Sequence, residues 1–98
     1  MSGRDCEIGE WGVRPGQLFR PKGVALGPDA TLYVSDSYTG VIQAFEETGR
    51  YRGVLADRKG GLLRLTTPVG MALDRKGRLY VVEMEINKVS VFRIGGSG

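Results

Sequence analysis

Residues 19–49 read FRPKGVALGPDATLYVSDSYTGVIQAFEETG, and residues 66–94 read TTPVGMALDRKGRLYVVEMEINKVSVFRI. The two stretches superpose without a gap at a constant offset of 47 positions. Pro21 falls on Pro68, Gly23 on Gly70, Ala25 on Ala72, Leu26 on Leu73, Leu32 on Leu79, Tyr33 on Tyr80, Val34 on Val81 and Phe45 on Phe92. Other apolar sites change conservatively, Val24 to Met71 and Ile42 to Val89. Eight identities in 25 ungapped positions exceed what composition supplies, so the chain contains an internal repeat.

Working outward, the repeat is written in strands. KGVAL (22–26), TLYVS (31–35), VIQAF (41–45), RLYVV (78–82) and KVSVF (88–92) are short runs rich in Val, Leu, Tyr and Phe. Turn-forming GPDA, SYTG, ETG, DRKG and EIN bound them. LYVS and LYVV are apolar at nearly consecutive positions, so both faces of those strands are expected to be buried, as in a sheet lying between two other layers. YRGVLA (51–56) is a weaker fourth strand. Shifted back by 47 it lands on RDCEIG (4–9), so residues 1–94 divide into two units, 1–47 and 48–94, with the outer strand displaced to the front. This predicts that residues 4–9 pair beside the strand ending at Ile94, with Arg4, Cys6, Ile8 and Ile94 as closure residues. GGSG (95–98) reads as a linker or tail.

The pattern Pro-x-Gly-Val-Ala-Leu, a short turn, Leu-Tyr-Val-x-Asp, then Gly-x-Ile-x-x-Phe and Gly resembles the NHL repeat over nearly all of residues 8–94. GEWGVRPGQLFRPKG (9–23) also looks like the segment that joins NHL blades. The second unit departs from the pattern at Glu83, where the family has Asp, and at residues 84–86. The resemblance implies an all-β chain of two four-stranded antiparallel β-propeller blades, with Tyr33, Tyr80, Val34 and Val81 packing between blades. Two blades cannot close a ring. Each end would expose on the order of 300 Å² of largely apolar sheet, near the upper bound for a soluble monomer. NHL propellers commonly have six blades, so the expectation is a self-assembling homotrimer in which the front strand closes a neighbouring blade and hides an open edge. The alternative is a piece of a longer six-bladed protein.

Composition bounds the function. In 98 residues, 41% are hydrophobic and 26% charged, with a net charge of +3, an ordinary globular balance. No apolar run approaches the roughly 18 residues that span a membrane, and the opening MSGRDCEIGE lacks the apolar core of a signal peptide. The compartment is therefore unread. The single cysteine, Cys6, excludes a disulfide within this chain. Inter-blade loops 9–20 and 57–67 share one expected face with loops 36–40 and 83–87. They carry Arg14, Arg20, Arg58, Lys59 and Arg64 with Trp11 among them. Cations beside an exposed aromatic suit phosphate contact and base stacking, so single-stranded RNA is the second functional expectation. Some relatives of the fold are metal-dependent lyases or hydrolases, and a fragment of one is a third. The chain has no histidine, hence no imidazole base or ligand and no partner for a Cys6 nucleophile. Asp36 and Glu83, at the ends of the YV strands, are weak calcium candidates, or else loop caps accepting backbone N–H groups. The expectation is a non-enzymatic scaffold without cofactor whose chief partner is itself, with a protein partner second and nucleic acid third.

Overall fold

In the computed structural model of the chain, residues 8–27, 29–56 and 59–94 are described. Residues 4–7 of the expected front strand, with Arg4 and Cys6, lie outside the described residues, as does Arg58. Ile8 is described and half-buried, and is not in a strand. A short parallel pair, β1 (Glu10–Trp11) with β2 (Gln17–Leu18), precedes the repeat proper. Among the described residues no helix is long and apolar enough to cross a membrane.

The fold is all-β. The first unit forms a four-stranded antiparallel meander of β3 (Pro21–Leu26), β4 (Thr31–Asp36), β5 (Ile42–Glu46) and β6 (Tyr51–Val54). The second forms a three-stranded antiparallel meander of β7 (Pro68–Leu73), β8 (Arg78–Glu83) and β9 (Lys88–Arg93). Registers repeat with the sequence: Val24 faces Val34 and Leu32 faces Phe45, while Met71 faces Val81 and Leu79 faces Phe92. Both inner strands carry an irregularity just after their proline, where the β3–β4 and β7–β8 ladders slip. The turn at 74–77 follows its DRKG chemistry. The Asp74 carboxylate accepts from the Lys76 and Arg78 backbone N–H groups, each at 2.9 Å, and Gly77 takes φ +79°.

The two sheets stack face to face through β3 and β7. Cross-strand partners share a face, so Ala25, Tyr33, Ile42 and Ala44 line the side of the first sheet turned to the second. Met71, Leu73, Leu79, Val81 and Phe92 answer them. Ile42, Leu79 and Val81 are fully buried, and burial pushes the Tyr33 phenol above its ordinary pKa. The glycine of the repeat is explained here. A Cβ on Gly23 would run into the Val69 carbonyl oxygen and lie 2.8 Å from Ser35 Oγ, so only glycine lets the two backbones approach. Ser35 Oγ donates to that same carbonyl at 3.4 Å.

Two-sided burial holds for β4, where every residue is buried or half-buried. It does not hold for β8, which alternates, leaving Val82 exposed. The physical reason is that β4 has the second sheet on one side and the Gly16–Gln17 segment on the other, whereas nothing described lies on the far side of β8. The Gln43 amide ties that segment down, accepting from Gly16 N–H at 2.8 Å and donating to the Gln17 carbonyl at 2.7 Å. Residues 84–86, where the second unit departs from the repeat, form a single 3-10 turn, Met84–Ile86, closed by Asn87 in the left-handed region.

Candidate functional site

The loop leading into each sheet and the strand-connecting loops meet at one end of the sheets, and buried carboxylates bring them together. Asp36, at the end of β4, is fully buried. Its Oδ2 accepts from Phe19 N–H at 2.6 Å. Its Oδ1 accepts from the N–H groups of Arg20 (3.2 Å), Tyr38 (2.9 Å) and Thr39 (3.3 Å). Glu83 does the same in the second unit, accepting from Thr66 N–H at 2.8 Å and from the Ser90 hydroxyl. Met84 N–H then donates to the Thr67 carbonyl, as Ser37 N–H does to Arg20. Both carboxylates are thus committed to closing loops over strand ends. No group of three or more Asp, Glu, Cys or His that could hold a metal ion occurs among the described residues.

Asp36 has a second effect, because two of the N–H groups it fixes belong to Phe19 and Tyr38. These rings stack with centroids 4.2 Å apart, and Phe19 in turn lies 5.2 Å from Trp11, all at shallow tilts. The result is a ladder of three rings whose outer members, Trp11 and Tyr38, are 75% and 62% exposed. Arg14, Arg64 and Tyr38 line one open groove of about 690 Å³ between residues 13–15 and 62–64. Arg20 follows Phe19 directly and is exposed. Among the described residues none of these three arginines is held in an ion pair, in contrast to Arg78, which binds Asp74 at 2.7 Å. The structure therefore gathers Trp11, Arg14, Arg20 and Arg64 at one end of the first unit. Lys59 is exposed in the following loop.

Phe19 and Tyr38 were not among the residues singled out from sequence. One signal points to them: they break the repeat. Their counterparts at an offset of 47 are Thr66 and Glu85, and that of Trp11 is Arg58. Three exposed or half-exposed aromatics present in one copy and absent from the other are not needed for the shared core.

The second feature of the molecule is its two open sheet faces. On the far side of the second sheet lie Gly70, Ala72, Tyr80, Val82, Val89 and Val91, with Val82, Val89 and Val91 42%, 59% and 52% exposed. On the far side of β3 lie Val24 and Leu26, both more than half exposed, beside the buried Val34 and Phe45. Tyr33, predicted to pack between units, is buried there. Tyr80, its counterpart, is half-buried on the open face and donates its hydroxyl to Asp74 at 3.0 Å. Ile94 packs against the core between the sheets.

No protein-family model matches the chain. Among curated proteins it is 25% identical to Protein brain tumor of Drosophila melanogaster and 26% identical to B-box type zinc finger protein ncl-1 of Caenorhabditis elegans. Each likeness covers 94% of this chain but only 13% and 16%, respectively, of those proteins. Both proteins carry NHL repeats, which is consistent with the resemblance read from residues 8–94. Each alignment runs over 136 positions, more than the chain's 98 residues, so it opens gaps amounting to nearly one repeat unit.

Proposed function

We propose that the chain is a non-enzymatic binding scaffold whose propeller-type blades associate head to tail with other copies, three two-blade chains making a ring of six. The observation that carries this reading is the match between the open faces and the closed one. The buried side of the first sheet presents Ala25, Tyr33, Ile42 and Ala44; the open side of the second presents Ala72, Tyr80, Val89 and Val91 at the corresponding positions. Met71 and Leu73, which help fill the interface between the two sheets, have Val24 and Leu26 as exposed counterparts on the other open side, while Val34, the counterpart of Val81, is already buried within the chain. A contact between unlike faces is heterologous, and with a fixed rotation per blade it closes at a definite number. Six is taken from the NHL resemblance. Light scattering and sedimentation velocity on the 98-residue chain test it. Three chains per particle is the expected result, two or four would correct the count, and a folded monomer at low micromolar concentration would overturn the proposal.

A second reading, single-stranded RNA on the loop end, is favoured by the Trp11–Phe19–Tyr38 ladder with unpaired arginines beside it. Base stacking on exposed rings contributes about 1–3 kcal/mol per base. Titration of a fluorescent oligoribonucleotide should show binding that weakens steeply with salt and is lost in Arg14→Glu. No binding at about 50 mM salt would remove this reading and leave the scaffold. Catalysis has no place in the proposal, since Asp36 and Glu83 are occupied by loop closure.

A further inference from the structure

We infer that Gly70 is the seat on which a second copy of this chain docks, its absent side chain reserved for a backbone that arrives only on assembly. The inference rests on the head-to-tail reading above and deepens it by naming the contact. Its basis is a difference between two equivalent glycines. At Gly23 the space a Cβ would take is filled by the Val69 carbonyl oxygen of the stacked strand. At Gly70 a Cβ would meet nothing nearer than its own sheet's Val82 Cγ2, at 3.9 Å. Gly70 does not adopt a positive φ, so its backbone does not call for glycine. Within one chain, then, neither a neighbouring atom nor a positive φ among the described residues requires glycine at position 70, which lies in the β7–β8 irregularity just as Gly23 lies in that of β3–β4.

The repeat indicates what would require it. Val69 lies on Gly23, and 47 positions back from Val69 is Lys22. The strand of a second copy entering the open face in the register of the first interface sets the carbonyl of the partner's Lys22 against Gly70. It also lays the partner's Val24 and Leu26, both exposed in the isolated chain, along Ala72 and Val89. One element changes. Ser35, whose hydroxyl meets the Val69 carbonyl, becomes Val82 at the second seat, so the contact between copies is drier and more apolar than the one within a chain. A further copy is favoured over an unrelated partner because both halves of the contact already exist in this molecule, fitted to each other once.

Gly70→Ala is the test, with Gly23→Ala as reference, read by sedimentation velocity, far-ultraviolet circular dichroism and the concentration dependence of melting. Gly70→Ala should keep the β-sheet spectrum and raise the concentration for half-assembly by at least about tenfold, the scale of an overpacked contact. The concentration dependence of its melting should shift to correspondingly higher concentrations. Gly23→Ala should instead lower melting at every concentration. If the wild-type chain assembles and Gly70→Ala assembles equally well, the seat is refuted while head-to-tail assembly stands. If the wild-type chain is monomeric, both fall. Should Gly70→Ala fail to fold, Ala72→Arg on the same exposed face takes its place: loss of assembly supports the seat, and unchanged assembly overturns it.

Discussion

Asp36→Asn preserves the size and shape of the side chain and removes one acceptor from a buried site where four backbone N–H groups converge. The amide oxygen is best kept at the Oδ1 position, where it still serves Arg20, Tyr38 and Thr39. The new NH2 group then faces Phe19 N–H across 2.6 Å, donor against donor. A hydrogen bond to a charged group contributes about 1.5–3 kcal/mol, and a stranded buried N–H costs about 1–3 kcal/mol. With partial relaxation of the half-buried Phe19 segment, the expected loss is about 3 kcal/mol. Equilibrium urea unfolding, followed by circular dichroism at one fixed chain concentration, measures it. Fluorescence of Trp11, the chain's single tryptophan, provides a local readout. Release of Phe19 should disturb the ladder, so Trp11 emission should change in native conditions as well as along the transition. A stability within about 0.5 kcal/mol of wild type would refute the argument that Asp36 closes the loop end, as would native Trp11 emission identical to wild type.

Two further substitutions probe other levels. Val81→Asp places a carboxylate at a fully buried position among apolar side chains between the sheets and should abolish cooperative unfolding; a native-like melting curve would count against the stacked core. At Asp74, the Arg78 backbone N–H above all, with the Arg78 and Tyr80 side chains, holds the carboxyl below its ordinary value of 3.8 against the opposing pull of burial. A depressed carboxylate adds stability above the unfolded value that fades as pH falls through the folded one. Asp74→Asn should therefore melt below wild type at neutral pH, with the difference closing from about pH 4 downward; a difference constant across that range would refute it.

The core was legible because the residues that fill it recur. Leu32 and Leu79, Tyr33 and Tyr80, or Val34 and Val81 can be read off against each other, and each pair occupies the same register in its sheet, with Tyr33, Leu79 and Val81 between the sheets and their counterparts on the outer sides. The turn at 74–77 was legible because its chemistry is local. The ladder was not, since Trp11, Phe19 and Tyr38 meet only through the path that loop 9–20 takes, and that path depends on a buried carboxylate far along the chain. The alternating burial of β8 escaped for a related reason. Its sequence is apolar on both faces, but among the described residues only one face is covered, and Val82 on the other stays exposed. Asp36 and Glu83 show how a residue type can mislead: the same carboxylates suit a cation or a bundle of N–H groups, and only the geometry decides.

The complementarity between the front of one sheet and the back of the next carries a consequence for how such proteins change in length. Because the two units offer like pairs of surfaces, differing in details such as Ser35 against Val82, no residue inside a unit records how many units there are. In the proposed ring that count would be set by the rotation from one sheet to its neighbour and by where the circle meets itself. Under that proposal a duplicated or deleted unit would join surfaces that already fit, so its cost would fall on closure and not on any core.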